Sequence, residues 1–164
     1  MPAADAQVVR QHEKGHMTGG DAQMRADIAA YGWHVIKILE DDEGPGFAFT
    51  IGLYKRFEHP ELIVFGLPLD TMHLMLNAAG EAIRSGQIFM AGQSSDAILQ
   101  GYSCTFRPVP RHHYEEYLGS ARWYYDGDGF PALQLIWPDR DHRYPWAAPG
   151  DAWIRTAQPV LADQ

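Results

Sequence analysis

Apolar residues recur at two periods along the chain, and the switches between those periods mark its elements. "DAQMRADIAAYG" (21–32) has the helical period: Met24, Ile28 and Tyr31 fall on one stripe, Asp21 can cap the start, and Gly32 can stop it. "WHVIKIL" (33–39) is rich in β-branched residues and predicts a strand; "EDDEGPG" (40–46) predicts a solvated turn. "FAFTIGL" (47–53) alternates, with Phe47, Phe49, Ile51 and Leu53 on one face and Ala48, Thr50 and Gly52 on the other. "ELIVFGL" (61–67) is apolar on both faces and predicts a central strand. "LDTMHLMLNAAGEAIRSG" (69–86) predicts the strongest helix, capped by Asp70, buried along Met72, Met75, Leu76, Ala79 and Ile83, and ended by Gly86. His73 and Asn77 are expected on its wet side. "QIFMA" (87–91) and "GYSCTFRPV" (101–109) predict strands flanking a polar loop, 110–125 a helix beginning at a proline, and "FPALQLIW" (130–137) a last strong strand.

That order is helix, three strands, helix, two strands, helix, strand. It implies an α+β domain with a mainly antiparallel sheet, or a partly open split β-barrel, and about three flanking helices. Residues 1–20 are expected to form a mobile N-terminal arm, 21–146 a single α+β domain, and 147–164 a loosely docked tail.

Composition narrows the partners more than the fold. The 164 residues carry a formal net charge of −8 and no Lys/Arg cluster, which disfavours nucleic acid and anionic membrane surfaces. One cysteine, Cys104, rules out an internal disulfide framework, and its alternation with Tyr102 and Phe106 predicts a core position. With no apolar leader or spanning run, the expected location is cytoplasmic.

Several motifs invite chemistry. "HEKGH" at 12–16 matches the zinc-protease pattern through His12, Glu13 and His16, but Gly15 weakens the helix the motif needs, so the match is read as chance and no metal is expected. His34 alternates with Ile36 and Ile38 and reads as a neutral core histidine bonded to a carbonyl. His59, before Pro60, either braces a loop or faces a pocket. In "WPDRDHRYPW" (137–146) the residue types of Asp139 and Asp141 suit a turn, Arg140 and Arg143 can pair with them, and Tyr144 and Trp146 can pin the returning chain. His142 is the residue a plain turn does not require, and Arg107 is expected to bond one of those aspartates. The small side chains of Ala48, Thr50 and Gly52 leave a groove beside their strand, to be filled by a packed helix or by a planar ligand.

"YGWHVIKI", "GPGFAFTIGLYKRFEHPELIVFGLP", "GYSCTFRPV" and "ARWYYDGDGFPALQLIWPDRDHRYPW" together resemble the bacterial family known as domain of unknown function 4262, over about residues 31–146. That family implies no catalytic residue. The run "FAFTIG", a short loop, "HPELIVFGL" and a following helix is also similar to flavin-reductase-like split barrels, in which the flavin lies along the threonine-containing strand.

Those likenesses give a first functional expectation: a small planar ligand or cofactor, flavin-like, beside the 47–53 strand, with oxidoreductase chemistry as one form of it. Its candidate binding residues are Thr50, Gly52, Tyr54, Lys55, Arg56, His59, Arg107, Trp123, Asp139, Arg140 and His142. In that arrangement Thr50 would bond a ring edge, the cations a phosphate, and a tryptophan would stack. The alternatives are a protein-interaction or immunity-type module, compatible with a homodimer, and a hydrolase relying on a histidine.

Overall fold

The structure is a computed structural model that describes residues 7–9 and 21–163; the 12–16 motif lies outside them. The strands are β1 (Gln7–Val9), β2 (His34–Ile38), β3 (Phe47–Ile51), β4 (Glu61–Phe65), β5 (Ser94–Leu99), β6 (Tyr102–Pro108) and β7 (Ala132–Ile136). The helices are α1 (Asp21–Tyr31), α2 (Leu53–Phe57), α3 (Leu69–Arg84), α4 (Tyr114–Tyr117), α5 (Gly119–Tyr125) and α6 (Trp153–Ala157).

Six strands, β2 to β7, form a mixed sheet, and β1 adds a short parallel edge beside β2; the order is β1-β2-β3-β4-β7-β6-β5. Among the described residues the only other parallel pair is β4–β7, at the centre, and the remaining neighbours are antiparallel. This is the expected α+β class, with the apolar 61–65 strand central as its composition requires. The sheet stays open and does not close into a barrel. Helices cover both faces. Met72, Met75, Leu76, Ala79 and Ile83 of α3 pack with Val35, Ala48, Leu62, Val64 and Leu135 on one side. Met24 and Ile28 of α1 and Tyr114, Leu118 and Ala121 pack with Ile36, Phe47, Phe49, Ile51 and Phe65 on the other.

The groove beside Ala48 is closed by α3. Gly80 allows this close approach: a Cβ there would stand 2.5 Å from the Trp33 ring. Trp33 donates through Nε1 to Asn77 Oδ1 at 2.9 Å, so Asn77 is buried, as is His73 on the same helix, and neither faces water as expected. An indole N–H taken out of water needs an acceptor, and Asn77 supplies it.

The segments with ambiguous periods differ most from expectation. "QIFMA" is not a strand: Phe89 is buried while Ile88 and Met90 point outward, and the pairing edge is instead the more polar 94–99. The helix expected over 110–125 breaks into a 3-10 turn, α4 and α5, with Leu118 at φ −118° and ψ 36° between them; with the short α2 and α6 the α-helices among the described residues number six. Leu53 opens α2 where a strand end was expected.

The segment after Trp146 is held more firmly than its composition suggests. Gln158, fully buried, accepts from the Trp137 N–H at 2.9 Å and donates to the Trp137 carbonyl at 2.8 Å. Gln134 of β7 likewise donates to the Pro159 carbonyl and accepts from the Leu161 N–H. Two glutamine amides thus complete a ladder that no strand supplies, satisfying backbone groups that would otherwise be buried unpaired.

Candidate functional site

The two ends of β4 carry the polar and open parts of the molecule. At its first residue, Glu61 is wholly buried and gathers donors from three elements. Thr50 Oγ1 donates to Oε1 at 2.8 Å, and the amides of Gly52, Leu53 and Tyr54 donate at 2.9, 3.3 and 3.2 Å. The Tyr125 hydroxyl also donates to Oε2 and itself accepts from the amides of Gly52 and Lys55. The Thr50 hydroxyl accepts from the Leu62 N–H. Burial pushes the Glu61 carboxyl up, and the hydroxyls of Tyr125 and Thr50 with the Tyr54 and Gly52 amides pull it back. Burial beside that carboxylate raises the Tyr125 phenol strongly, so it stays a donor.

Gly52 makes this geometry possible. It precedes α2 at φ +115°, a left-handed conformation that aims successive amides at one point, and a Cβ there would meet the Gly32 carbonyl at 2.8 Å. The carboxylate of another strand therefore does what a capping side chain does at an ordinary helix start. The arrangement is an internal bracket with every oxygen occupied, and it presents no carboxylate to solvent.

Two further histidines are built in. His59 donates from Nδ1 to the Pro60 carbonyl at 2.8 Å and accepts at Nε2 from the Phe89 N–H at 3.0 Å. Burial lowers its pKa, and this tautomer is the neutral one. His59 therefore braces its loop. His34 is a core histidine, and its Nδ1 meets the Asp27 carboxylate of α1 at 2.7 Å.

The opposite end of β4 is open. Beyond Phe65 and the facing end of β7 lie two adjoining clefts that share Leu67 and Trp153. One, of about 690 Å³, runs between the 40–46 turn, the 66–69 segment and α6. The other, of about 600 Å³, is walled by Leu99, Tyr102 and Trp137, with Thr71, Asp139, Arg140 and Asp141 at its edge. Trp153 is 64% exposed between them.

The 139–143 turn forms one rim. Asp139 Oδ1 accepts from the Asp141 and Arg143 amides, and its other oxygen accepts from Arg143 Nε, which holds the carboxyl below its ordinary range. His142 is the residue with φ +63°, and its ring lies against Tyr102 at 5.0 Å, so the turn does require a residue tolerant of that conformation there. Arg107 does not bond an aspartate. Its guanidinium lies 3.9 Å from the centre of the Trp146 ring, while Arg143 pairs with both Asp139 and Asp141 of the turn.

The candidates read from sequence thus separate into two groups. Thr50, Gly52 and His59 are interior and consumed by protein partners, while Tyr54, Lys55, Arg56 and Trp123 lie on the outer surface of the Glu61 end. Arg56 donates to the carbonyls of Ile28 and Ala29 at the end of α1. Asp139 and Arg140 line the open cleft, and His142 and Arg107 support its rim. A flavin along β3 does not fit: the Thr50 hydroxyl is taken by Glu61 and Leu62, and α3 fills the groove at Ala48. Sequence reading missed Glu61, Tyr125, Gln134, Gln158 and Trp153. Only Glu61 left a signal, as a lone carboxylate opening an otherwise apolar strand. Among the described residues no cluster of three or more His, Cys, Asp or Glu could hold a metal, and no helix is long and apolar enough to cross a membrane.

Fold and site together define an α+β domain with an open mixed sheet between helices, bracketed at one end by a buried carboxylate and cleft at the other. The chain belongs to the family described as Domain of unknown function (DUF4262), whose model matches residues 27–150. No curated protein and no solved structure matches it.

Proposed function

We propose that this domain binds a small planar organic ligand in the double cleft at the carboxyl ends of β4 and β7. The observation that supports this is the meeting of the two clefts, about 690 and 600 Å³, at Leu67 and the exposed Trp153. Volumes of this order hold small ligands, and sheets with parallel neighbours commonly bind them outside the carboxyl ends of those strands. Tyr102, Trp137 and Trp153 offer aromatic walls, while Thr71 and Arg140 offer polar edges. The reading moves the ligand from the 47–53 strand to the far end of the sheet, and it assigns binding without a reaction.

The test is Trp153 fluorescence against a panel of aromatic and nucleobase-containing compounds, followed by amide shift mapping of any compound that quenches it. Quenching that is lost in Trp153→Ala, with shifts at Leu67, Thr71 and Leu99, supports the reading. A panel that leaves Trp153 unquenched, or shifts confined to the Glu61 end, overturns it.

A further inference from the structure

The outer surface of the Glu61 end carries a patch that the cleft does not use. Arg25 of α1 lies over the rings of Trp123 and Tyr124, at 5.2 and 5.8 Å from their centres, and Lys55 Nζ stands 5.9 Å from the Tyr124 ring. Tyr125 meets Tyr54 and Tyr124 edge-on at 5.9 and 5.0 Å. Arg25, Lys55 and Arg56 are exposed. Among the described residues, none of the three lies within ion-pair distance of a carboxylate, as is also true of Arg107, Arg111, Arg140 and Arg155, and Arg56 donates to the carbonyls of Ile28 and Ala29; Lys37, Arg84, Arg122 and Arg143 are paired. On a chain of net charge −8 these three cations stand among aromatic rings, with Glu58 and Asp126 as the exposed carboxylates at the ends of α2 and α5.

We propose that this patch docks an acidic peptide segment of a partner protein. Tryptophan, tyrosine and arginine are the side chains that dominate binding energy at protein interfaces. A phosphate ligand would call on backbone amides, and those nearest are already occupied: Gly52, Leu53 and Tyr54 serve Glu61, and Lys55 serves Tyr125. Recognition therefore falls to side chains, with the cations taking carboxylates and the rings taking apolar or aromatic groups between them. An extended polyanion such as nucleic acid, or an anionic bilayer, would need many more cations and would meet the acidic remainder of the surface. A short acidic segment needs only these.

Fluorescence anisotropy with a panel of labelled peptides, in which Asp or Glu alternates with Leu or Phe, tests the assignment. Acidic peptides should bind roughly tenfold or more tighter than the same peptides carrying Lys, with affinity falling as salt rises. Arg25→Glu combined with Lys55→Glu should weaken binding by roughly tenfold or more without moving the melting temperature, while Arg25→Lys retains most of it. Amide shifts should map to residues 25, 54–56 and 122–125. Equal binding of acidic and basic peptides, or equal binding by the doubly reversed variant, overturns the proposal. So does tighter capture of a single-stranded oligonucleotide or of anionic vesicles. Self-association of the protein that the double reversal abolishes also overturns it, because the occupant would then be a second copy.

Discussion

The two ends of β4 differ in how their polar groups are used. At Glu61, one carboxylate collects two hydroxyls and three amides, and no oxygen is left for a ligand. At Gly66 and beyond, the walls are apolar or aromatic, and the polar groups sit on a rim. The first end has the density of polar contacts usually sought in an active site, and its chemistry is structural. The second has few polar groups and has room. Density of hydrogen bonds measures how fully a site is built into the fold, whereas binding needs groups still open to a newcomer.

The largest effect that would break this contrast is at the sealed end. Glu61→Ala leaves four donors without an acceptor, the Gly52 amide keeping the Tyr125 hydroxyl, and since each buried orphan costs about 1–3 kcal/mol, urea unfolding should show a loss of at least about 4 kcal/mol, or no folded protein. A loss below about 1 kcal/mol would mean that water replaces the carboxylate and that the bracket is an accessible site after all.

Next comes the clamp beside the cleft. Gln158→Ala removes the partners of both Trp137 backbone groups, a loss of about 2–4 kcal/mol by the same measurement. Thr156→Ala, exposed on α6, should stay within about 0.5 kcal/mol. Equal small losses in the two variants would show the 147–163 segment to be dispensable.

A pH dependence sharpens the comparison. Burial lowers His59 from its ordinary 6.5, so its contribution is complete above that value. It is lost as pH falls from 6.5 towards the folded pKa, because the unfolded chain takes up the proton first. The urea midpoint of the native protein should therefore drop more between about pH 7.5 and 5.5 than that of His59→Asn. Parallel drops in the two proteins would remove His59 as the cause.

The smallest effect belongs to the open end. Trp153→Ala should change stability by less than about 0.5 kcal/mol, since the side chain is mostly exposed, while abolishing the quenching used to detect a ligand. A large destabilisation would place Trp153 in the core and count against the cleft.

The legible parts of the sequence were those where one period dominates. The stripe of α3, the alternation of Phe47, Phe49 and Ile51, and the central position of 61–65 follow from side-chain spacing alone, because burial of one face enforces it. The turn at 139–143 was legible through its aspartates. What spacing could not show were pairings set by distance across the fold. Tyr125 reaches a residue 64 positions away, and Gln158 one 21 away. Nothing local distinguishes those side chains from surface tyrosines and glutamines. Thr50 drew notice as a small polar residue on a strand, but its actual partner, Glu61, had been read as part of an apolar run. The 110–125 helix is interrupted at Leu118, whose ψ of 36° departs from helical values, although Tyr114, Leu118 and Ala121 keep the helical spacing and are all buried; the period records the buried face and not the break.

The stitching of residues 158–161 to β7 has a bearing on the protein's synthesis. β4 waits for its neighbour β7, the Trp137 backbone just after β7 waits for Gln158, and the Gln134 side chain of β7 waits for Pro159 and Leu161. From Glu61 to Leu161 the ribosome adds about 100 residues, roughly 5–20 s of elongation, during which one side of the most apolar strand has no partner. The α3 helix forms from the segment directly after β4 and can shield one face in that interval. A nascent chain halted before residue 158 should accordingly be the form most exposed to chaperones and to aggregation, although most of its core residues have already been made.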